Sequence, residues 1–227
     1  MKYELLLFDA DHTLFDFDAS EREALEKTMR SFGLPYESSV HLSAYKQINT
    51  EVWKAFELGE MTQETLKTER FKRLADRFSF QFSPSEFSDQ YMKHLAEAAI
   101  IFEESFPVLS ALKPTHRMAI VTNGLARVQN GRMSRSSIAP FFEALFISEE
   151  MGVAKPNPEF FFKALRALDF ADKSKALVIG DSLSSDIQGG INAGIDTCWY
   201  NPKSLENKSG LTPTYEIHTL SELTRLI

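Results

Sequence analysis

Five short apolar runs constrain this chain most: Glu4–Phe8, Met118–Thr122, Ala144–Ser148, Ala176–Gly180 and Ile195–Tyr200. None alternates cleanly between apolar and polar residues, so none offers a solvated face. Strands of that kind belong inside a parallel sheet covered by helices on both sides. Parallel neighbours need long crossovers, and helical patterns separate most of these runs. The resulting βαβ rhythm predicts a doubly wound, Rossmann-like α/β fold. Local signals agree. Asn157 and Pro158 suit the N-cap and first position of a helix running to about Leu168. A helix after Ser184 is expected to stop at Gly194, and Thr219 with Glu222 forms a capping box near the C-terminus.

The rhythm breaks once. Between Leu14 and about Phe106 no strand is evident, and the segment reads as helices. Ser20 with Glu23, and Ser83-Pro84 with Glu86, are capping boxes expected to open helices. Periodic stretches around Tyr45–Phe56 and Gln63–Phe78 lie between them. Such a length is far beyond an ordinary βα connection. It predicts a helical domain over residues 15–105, inserted into a core domain made of 1–14 and 106–227.

Composition narrows the function classes. With 227 residues, 43% of them hydrophobic, the chain can bury a core without covalent staples. The formal charge of −7 and the lack of a Lys/Arg stripe argue against a nucleic-acid polymer as partner. The single cysteine, Cys198, excludes an intramolecular disulfide and reads as a small buried strand residue in a reducing compartment. No apolar run approaches the ~20 residues of a spanning helix, and the first strand leaves no room for a signal peptide, so a cytoplasmic protein without membrane contact is expected.

The chemistry gathers where the apolar runs end. Asp9 and Asp11 follow Leu5–Phe8 directly, and residues two apart on an extended chain point the same way. Neighbouring buried carboxylates repel unless a cation or proton joins them, so the pair invites a hard metal. Thr122-Asn123-Gly124 ends the second run, and Lys155-Pro156 follows the third. Gly180-Asp181-Ser182 ends the fourth, with Asp186 shortly beyond. Open α/β sheets bind ligands beyond the carboxyl ends of their strands, where all these groups would collect.

Taken together, Asp9-Ala-Asp11-His12-Thr13-Leu14, Thr122-Asn123-Gly124, Lys155-Pro156-Asn157-Pro158 and Gly180-Asp181-Ser182-Leu183-Ser184-Ser185-Asp186 resemble the motifs of the haloacid dehalogenase (HAD) superfamily. They stand in that family's order, and the helical insert resembles its first-position cap domain. Asn49, Trp53, Phe56, Glu57, Gly59 and Thr62, with Ile147–Pro156 and Gly189–Gly194, further resemble bacterial 5′-nucleotidases of the YjjG/YfnB type. The resemblance implies a phosphohydrolase in which Asp9 attacks phosphorus and forms an aspartyl-phosphate. It implies that Asp11 protonates the leaving alkoxide and then activates water. Mg²⁺ would be held by Asp9, the main-chain carbonyl of Asp11 and Asp181, with Asp186 orienting a bound water. Thr122 and the Asn123 amide would bind phosphoryl oxygens, and Lys155 would neutralise their charge. The choice among Mg²⁺, Mn²⁺ and Co²⁺ stays open. His12 departs from the Gly, Asp or Glu common in relatives, at a position with no chemical part in the scheme.

An acid at position 11 favours reactions in which an alkoxide leaves, because a halide needs no proton. The implied substrate is a small phosphorylated metabolite, a nucleoside monophosphate and a pyrimidine one in particular. Sugar phosphates, or a mutase acting on one, are the nearest rivals. A phospho-receiver switch or a silent binding module on the same fold is a more distant one. For the helical domain, Phe15, Phe17, Trp53, Phe56, Met61 and Phe71 read mainly as its own core. Asn49 and Trp53, four apart on one helix face, are the expected substrate-facing pair. A monomer or weak homo-oligomer is expected.

Overall fold

Strand β1 (Leu5–Phe8) occupies the middle of the sheet, as its four fully buried residues require. The computed structural model describes residues 2–227; the side chain of Glu57, one of the positions quoted above, lies outside the described residues. Among the described residues the remaining strands are β2 (Arg117–Thr122), β3 (Ala144–Ile147), β4 (Ala176–Gly180), β5 (Asp196–Tyr200) and β6 (Tyr215–Ile217). All pair in parallel, in the order β3-β2-β1-β4-β5-β6. The expected runs agree with the first five to within a residue at either end. Strand β6 was not foreseen: Tyr215-Glu216-Ile217 is short, and an edge strand buries too little to leave an apolar run.

Chain alternation divides the sheet's two faces. Leu6 and Phe8 join Met118, Ile120, Leu177, Ile179 and Cys198 on one side. Leu5 and Leu7 join Ala119, Val121 and Val178 on the other. Each face is covered, which explains why no run alternated. The chain divides into two compact units, one comprising the chain up to Phe17 with Ala99–Ile227, the other Asp18–Ala98. Helix α1 (Phe17–Ser31) starts at the junction, and α2 (Ser43–Glu57), α3 (Gln63–Phe78) and α4 (Pro84–Glu97) follow it. The sheet unit carries α5 (Ser105–Leu112), α6 (Ala126–Met133), the single turn α7 (Ser148–Met151), α8 (Pro158–Ala167), α9 (Gln188–Ala193) and α10 (Leu223–Leu226). Helix α5 packs Val108, Leu109 and Leu112 on the first face, while α8 packs Phe160, Phe161, Ala164 and Leu165 on the second. Burying each of these phenylalanines stabilises the fold by roughly 1.5–3 kcal/mol.

The units divide at Phe17 and Ala99, so residues 15–17 and 99–105 do not belong to the helical unit as expected. The cause is local: Phe15 is fully buried in the sheet unit's core, bridges Asp11 and Ile101, and Ser105 Oγ donates to the Leu14 carbonyl at 2.8 Å. Ser20 does not open a helix either. Helix α1 already starts at Phe17, with Asp18 in its first turn where an acid favours the helix dipole, and Ser20 lies buried inside it. The other expected caps are present. Ser83 accepts from Glu86 N, Asn157 from Glu159 N, and Thr219 forms a capping box with Glu222. Helix α9 closes on Gly194 at φ 69°, and no helix among the described residues is long and apolar enough to cross a membrane.

Candidate active site

Sheet order sets the site. Strand β1 lies between β2 and β4, so the residues just beyond these three strands become neighbours, at the point where successive strands turn to opposite sides. Register continues one residue past β1, where Asp9 N donates to the Ile179 carbonyl at 2.8 Å. Asp9 is buried beside Lys155, whose Nζ donates to Asp9 Oδ1 at 2.6 Å, Asp186 Oδ1 at 2.6 Å and the Val121 carbonyl at 2.8 Å. Three acceptors satisfy the three donors of a buried ammonium. The loop carrying Lys155 is clasped by Asn123: its Nδ2 donates to the Lys155 carbonyl at 2.8 Å, and its Oδ1 accepts from Lys155 N at 2.9 Å. Thus the Asn123 side chain fixes the lysine, a role separate from the phosphate contact expected of its main chain. Thr122 Oγ1 accepts from Gly124 N at 3.0 Å, which leaves the hydroxyl proton available to a ligand.

Beyond β4, Asp186 folds back through the turn Leu183–Ile187, and its Oδ2 accepts from Ser182 N at 3.1 Å. Gly180 makes this possible, since a Cβ there would lie 2.3 Å from the Asp186 carboxylate. Trp199 Nε1, from β5, donates to the Asp181 carbonyl at 2.8 Å and steadies that strand end. The result is a cluster in which Asp9, Asp181 and Asp186 each bring an oxygen within 4.8 Å of the others. Asp186, expected to act from outside the metal's direct shell, belongs to this cluster, and its two oxygens already accept from Lys155 Nζ and Ser182 N. The Asp11 side chain does not enter the cluster, consistent with a role for its main-chain carbonyl.

The electrostatics show what the cluster can hold. Three ionised carboxylates facing one ammonium would leave two negative charges in a buried space. Burial pushes the Asp9 carboxyl well above the usual range, Lys155 pulls it back, and Asp186 and Asp181 raise it further. Asp181 is pushed up to about 7, by burial first and then by Asp186. Burial alone would lower the Lys155 ammonium, but Asp186 and Asp9 outweigh it and hold the charge firmly. An all-oxygen donor set with a deficit of two positive charges fits a hard divalent cation.

Asp11 turns elsewhere. Its Oδ2 accepts from Gln129 Nε2 at 2.7 Å, and its Oδ1 pairs with Arg132 Nη1. Neither partner was read from the sequence, because α6 is short and mostly polar, with Ala126, Val128 and Met133 its only apolar residues, and such a helix reads as solvated surface. The signal available was their spacing of three, just after Thr122-Asn123-Gly124. His12 beside them has φ 64°, a left-handed conformation that Gly adopts freely and His more readily than most residues.

The expected pair on the helical unit separates. Asn49 is buried, its Nδ2 donating to Glu21 Oε1 and its Oδ1 accepting from Arg70 Nη1, both at 3.1 Å. Its amide is committed to the unit's interior. Trp53, partly exposed, meets Phe56 edge to face at 5.8 Å. Phe71 belongs to the unit's core, stacked on Tyr45.

Known proteins match this arrangement over its full length. Residues 6–200 fit the family model described as haloacid dehalogenase-like hydrolase. The chain is 38% identical to the pyrimidine 5′-nucleotidase PynA of Streptococcus pneumoniae, over 98% of this chain and 94% of that one. It is 33% identical to the pyrimidine 5′-nucleotidase YjjG of Escherichia coli, over 100% of this chain and 99% of that one. The crystal structure of the HAD-hydrolase YfnB from Bacillus subtilis, bound to magnesium, superposes with a TM-score of 0.94 at 35% identity, covering 100% of this chain and 99% of that chain. By sequence, sheet order and site, the chain belongs to the haloacid dehalogenase-like hydrolase family.

Proposed function

We propose that this protein is a Mg²⁺-dependent phosphomonoester hydrolase that acts on nucleoside 5′-monophosphates, pyrimidine ones above all. The observation that carries the reading is the Asp9–Asp181–Asp186 cluster, in which Lys155 pairs with Asp9 and Asp186, beside a second acid at Asp11. The pyrimidine preference draws on the activities for which PynA and YjjG are named.

Mg²⁺, held by Asp9, Asp181 and Asp186 with the Asp11 main-chain carbonyl, would supply the positive charge that draws a phosphoryl group to the carboxylates. The chain's own groups carry the rest. Asp9 attacks phosphorus in line and becomes an aspartyl-phosphate. Lys155 meets the phosphoryl charge, and its anchors on Val121 and Asp186 keep the ammonium in place while that charge moves. Thr122 offers its hydroxyl proton and Asn123 its main-chain amide to phosphoryl oxygens. Asp11 gives a proton to the departing alkoxide and recovers one from the water that cleaves the intermediate. Base selection is assigned to the helical unit, with Trp53 as its candidate side chain. A small metabolite as partner and a cytoplasmic location fit this role.

The test is phosphate release over a panel of ribo- and deoxynucleoside monophosphates and sugar phosphates, with Mg²⁺ and with EDTA. Turnover led by pyrimidine nucleotides and silenced by EDTA is expected. A panel led by sugar phosphates would replace the substrate while keeping the chemistry. Turnover untouched by EDTA would remove the metal-dependent reading.

A further inference from the structure

Helix α6 brings two side chains to Asp11 from one of its faces. Gln129 and Arg132 stand three positions apart, so they leave the helix together. Gln129 takes one carboxylate oxygen and Arg132 the other. Both donors are buried, Arg132 completely. An enclosed guanidinium costs several kcal/mol unless it is well paired. Here Asp11 pairs it, and the rings of Phe15 and Phe17 lie 5.4 and 5.3 Å from its centre. The backbone also makes room. A Cβ on Gly124 would fall 2.2 Å from Gln129 Nε2, so that glycine clears the amide's path to the carboxylate. Asp11 nevertheless keeps 24% of its side chain exposed. Its plane is fixed without its being covered.

We propose that Gln129 and Arg132 are positioning residues, which hold the Asp11 carboxyl group on the line of proton transfer to the leaving oxygen. The inference rests on the acid role given to Asp11 above. In the first half-reaction an Asp9 oxygen bonds to phosphorus and the ester P–O bond breaks. Its electron pair stays on the leaving oxygen, which takes the Asp11 proton. In the second half, water oxygen bonds to phosphorus and gives a proton to Asp11. The acyl-phosphate P–O bond then breaks, restoring the Asp9 carboxylate and freeing inorganic phosphate. Both transfers pass through one carboxyl group, so an error in its orientation is felt twice. A bridge that only fastened α6 to the loop after β1 would give a different signature. Its loss would lower stability and slow every substrate alike.

Leaving-group dependence separates the two roles. Nitrophenolate departs without a proton, whereas an alkoxide does not. First-turnover release of the leaving group is measured by rapid quench for an alkyl phosphate substrate and for p-nitrophenyl phosphate. The variants are Arg132→Met, Gln129→Met and Arg132→Lys, with Asp11→Asn as reference. The expected result is a rate that falls about tenfold further for the alkyl ester than for p-nitrophenyl phosphate in both Met variants, with Arg132→Lys recovering part of the loss. Equal losses on both esters, with the discrimination present in Asp11→Asn, would overturn the clamp and leave the acid role standing. No discrimination in Asp11→Asn would overturn the acid role and the clamp with it. If Arg132→Met does not fold, Gln129→Met decides alone, since it removes one donor and keeps the side chain's length.

Discussion

Two buried charge clusters, one in each unit, resolve the same physical problem in opposite ways. In the helical unit, Glu21 and Arg70 are both buried and Asn49 bridges them, its two ends serving one partner each. Lys46 stands 4.0 Å from the same Glu21, and the Arg70 guanidinium lies over Phe71 and Tyr91. Charge there is matched within the unit, one buried carboxylate facing one buried guanidinium. At the sheet's end three carboxylates meet one ammonium. Buried charge of one sign is too costly to persist as decoration, so the surplus marks a place where something cationic is to bind. The difference teaches that burial of charge alone does not identify a site; imbalance does.

The comparison is broken most directly at Asp9. Asp9→Asn should lower turnover by about 10³-fold or more, since an amide does not form the acyl-phosphate. The metal-free variant should melt no lower than the native chain, because a surplus carboxylate has been removed. A clear loss of stability would mean that the cluster is held together as the helical one is. Asp181→Asn comes next. Burial lifts the Asp181 carboxyl to about 7 without metal, so the stability it contributes is full near pH 4 and is lost as pH rises through 7. At pH 8 the metal-free variant should therefore be stabilised by roughly 1–3 kcal/mol. It should also lose most of the Mg²⁺-induced rise in melting temperature that the native chain shows. Thermal melts with and without Mg²⁺ read both effects.

Much of this was legible in the sequence because parallel strands and strand-end motifs leave local marks. The non-alternating runs carry the sheet: Asp9 and Asp181 directly follow β1 and β4, Thr122 ends β2, and Lys155 lies in the loop after β3 and α7. What escaped depended on partners distant in the chain. Arg132 reaches Asp11 across more than a hundred residues, and no periodicity on α6 announces it. Asn49 shows the reverse error. Its side chain turns inward to Glu21 and Arg70, and neither contact can be read from an i, i+4 spacing. Ser20 misled because a capping box is a pattern of four residues, while Phe17 and Asp18 had already begun the helix.

The helical cluster makes its own, smaller prediction. Burial pushes the Glu21 carboxyl up to about 7 against the pull of Lys46 and Arg70. Its folded value thus lies above the unfolded one, so its contribution is full below about pH 4.5 and lost as pH rises through 7. Glu21→Gln keeps the acceptor that Asn49 uses and should flatten the fall in melting temperature between pH 5 and 8. The variant should nevertheless be less stable than the native chain across that range, because Arg70 is left buried without its opposite charge. Turnover of p-nitrophenyl phosphate should not follow that loss. If activity changed with stability unmoved, the matched cluster would have a function that its balance argues against.

Trp53 gives the smallest effect and the sharpest question about the helical unit. Once Asn49 is committed to Glu21 and Arg70, the indole is what remains of the expected pair. It is partly exposed, and its ring is braced edge to face by Phe56. Stacking of a nucleobase on an aromatic ring is worth about 1–3 kcal/mol. Trp53→Ala should accordingly raise KM for a pyrimidine nucleoside monophosphate by roughly five- to tenfold, the low end of that range, with kcat little changed. KM for p-nitrophenyl phosphate should move much less, because that ester carries no base. A nucleotide-selective rise would give the helical unit a share in recognition, reached through an apolar ring and not through its balanced charges. Equal rises on both substrates would confine Trp53 to packing against Phe56, and base selection would then have to come from side chains other than the expected pair.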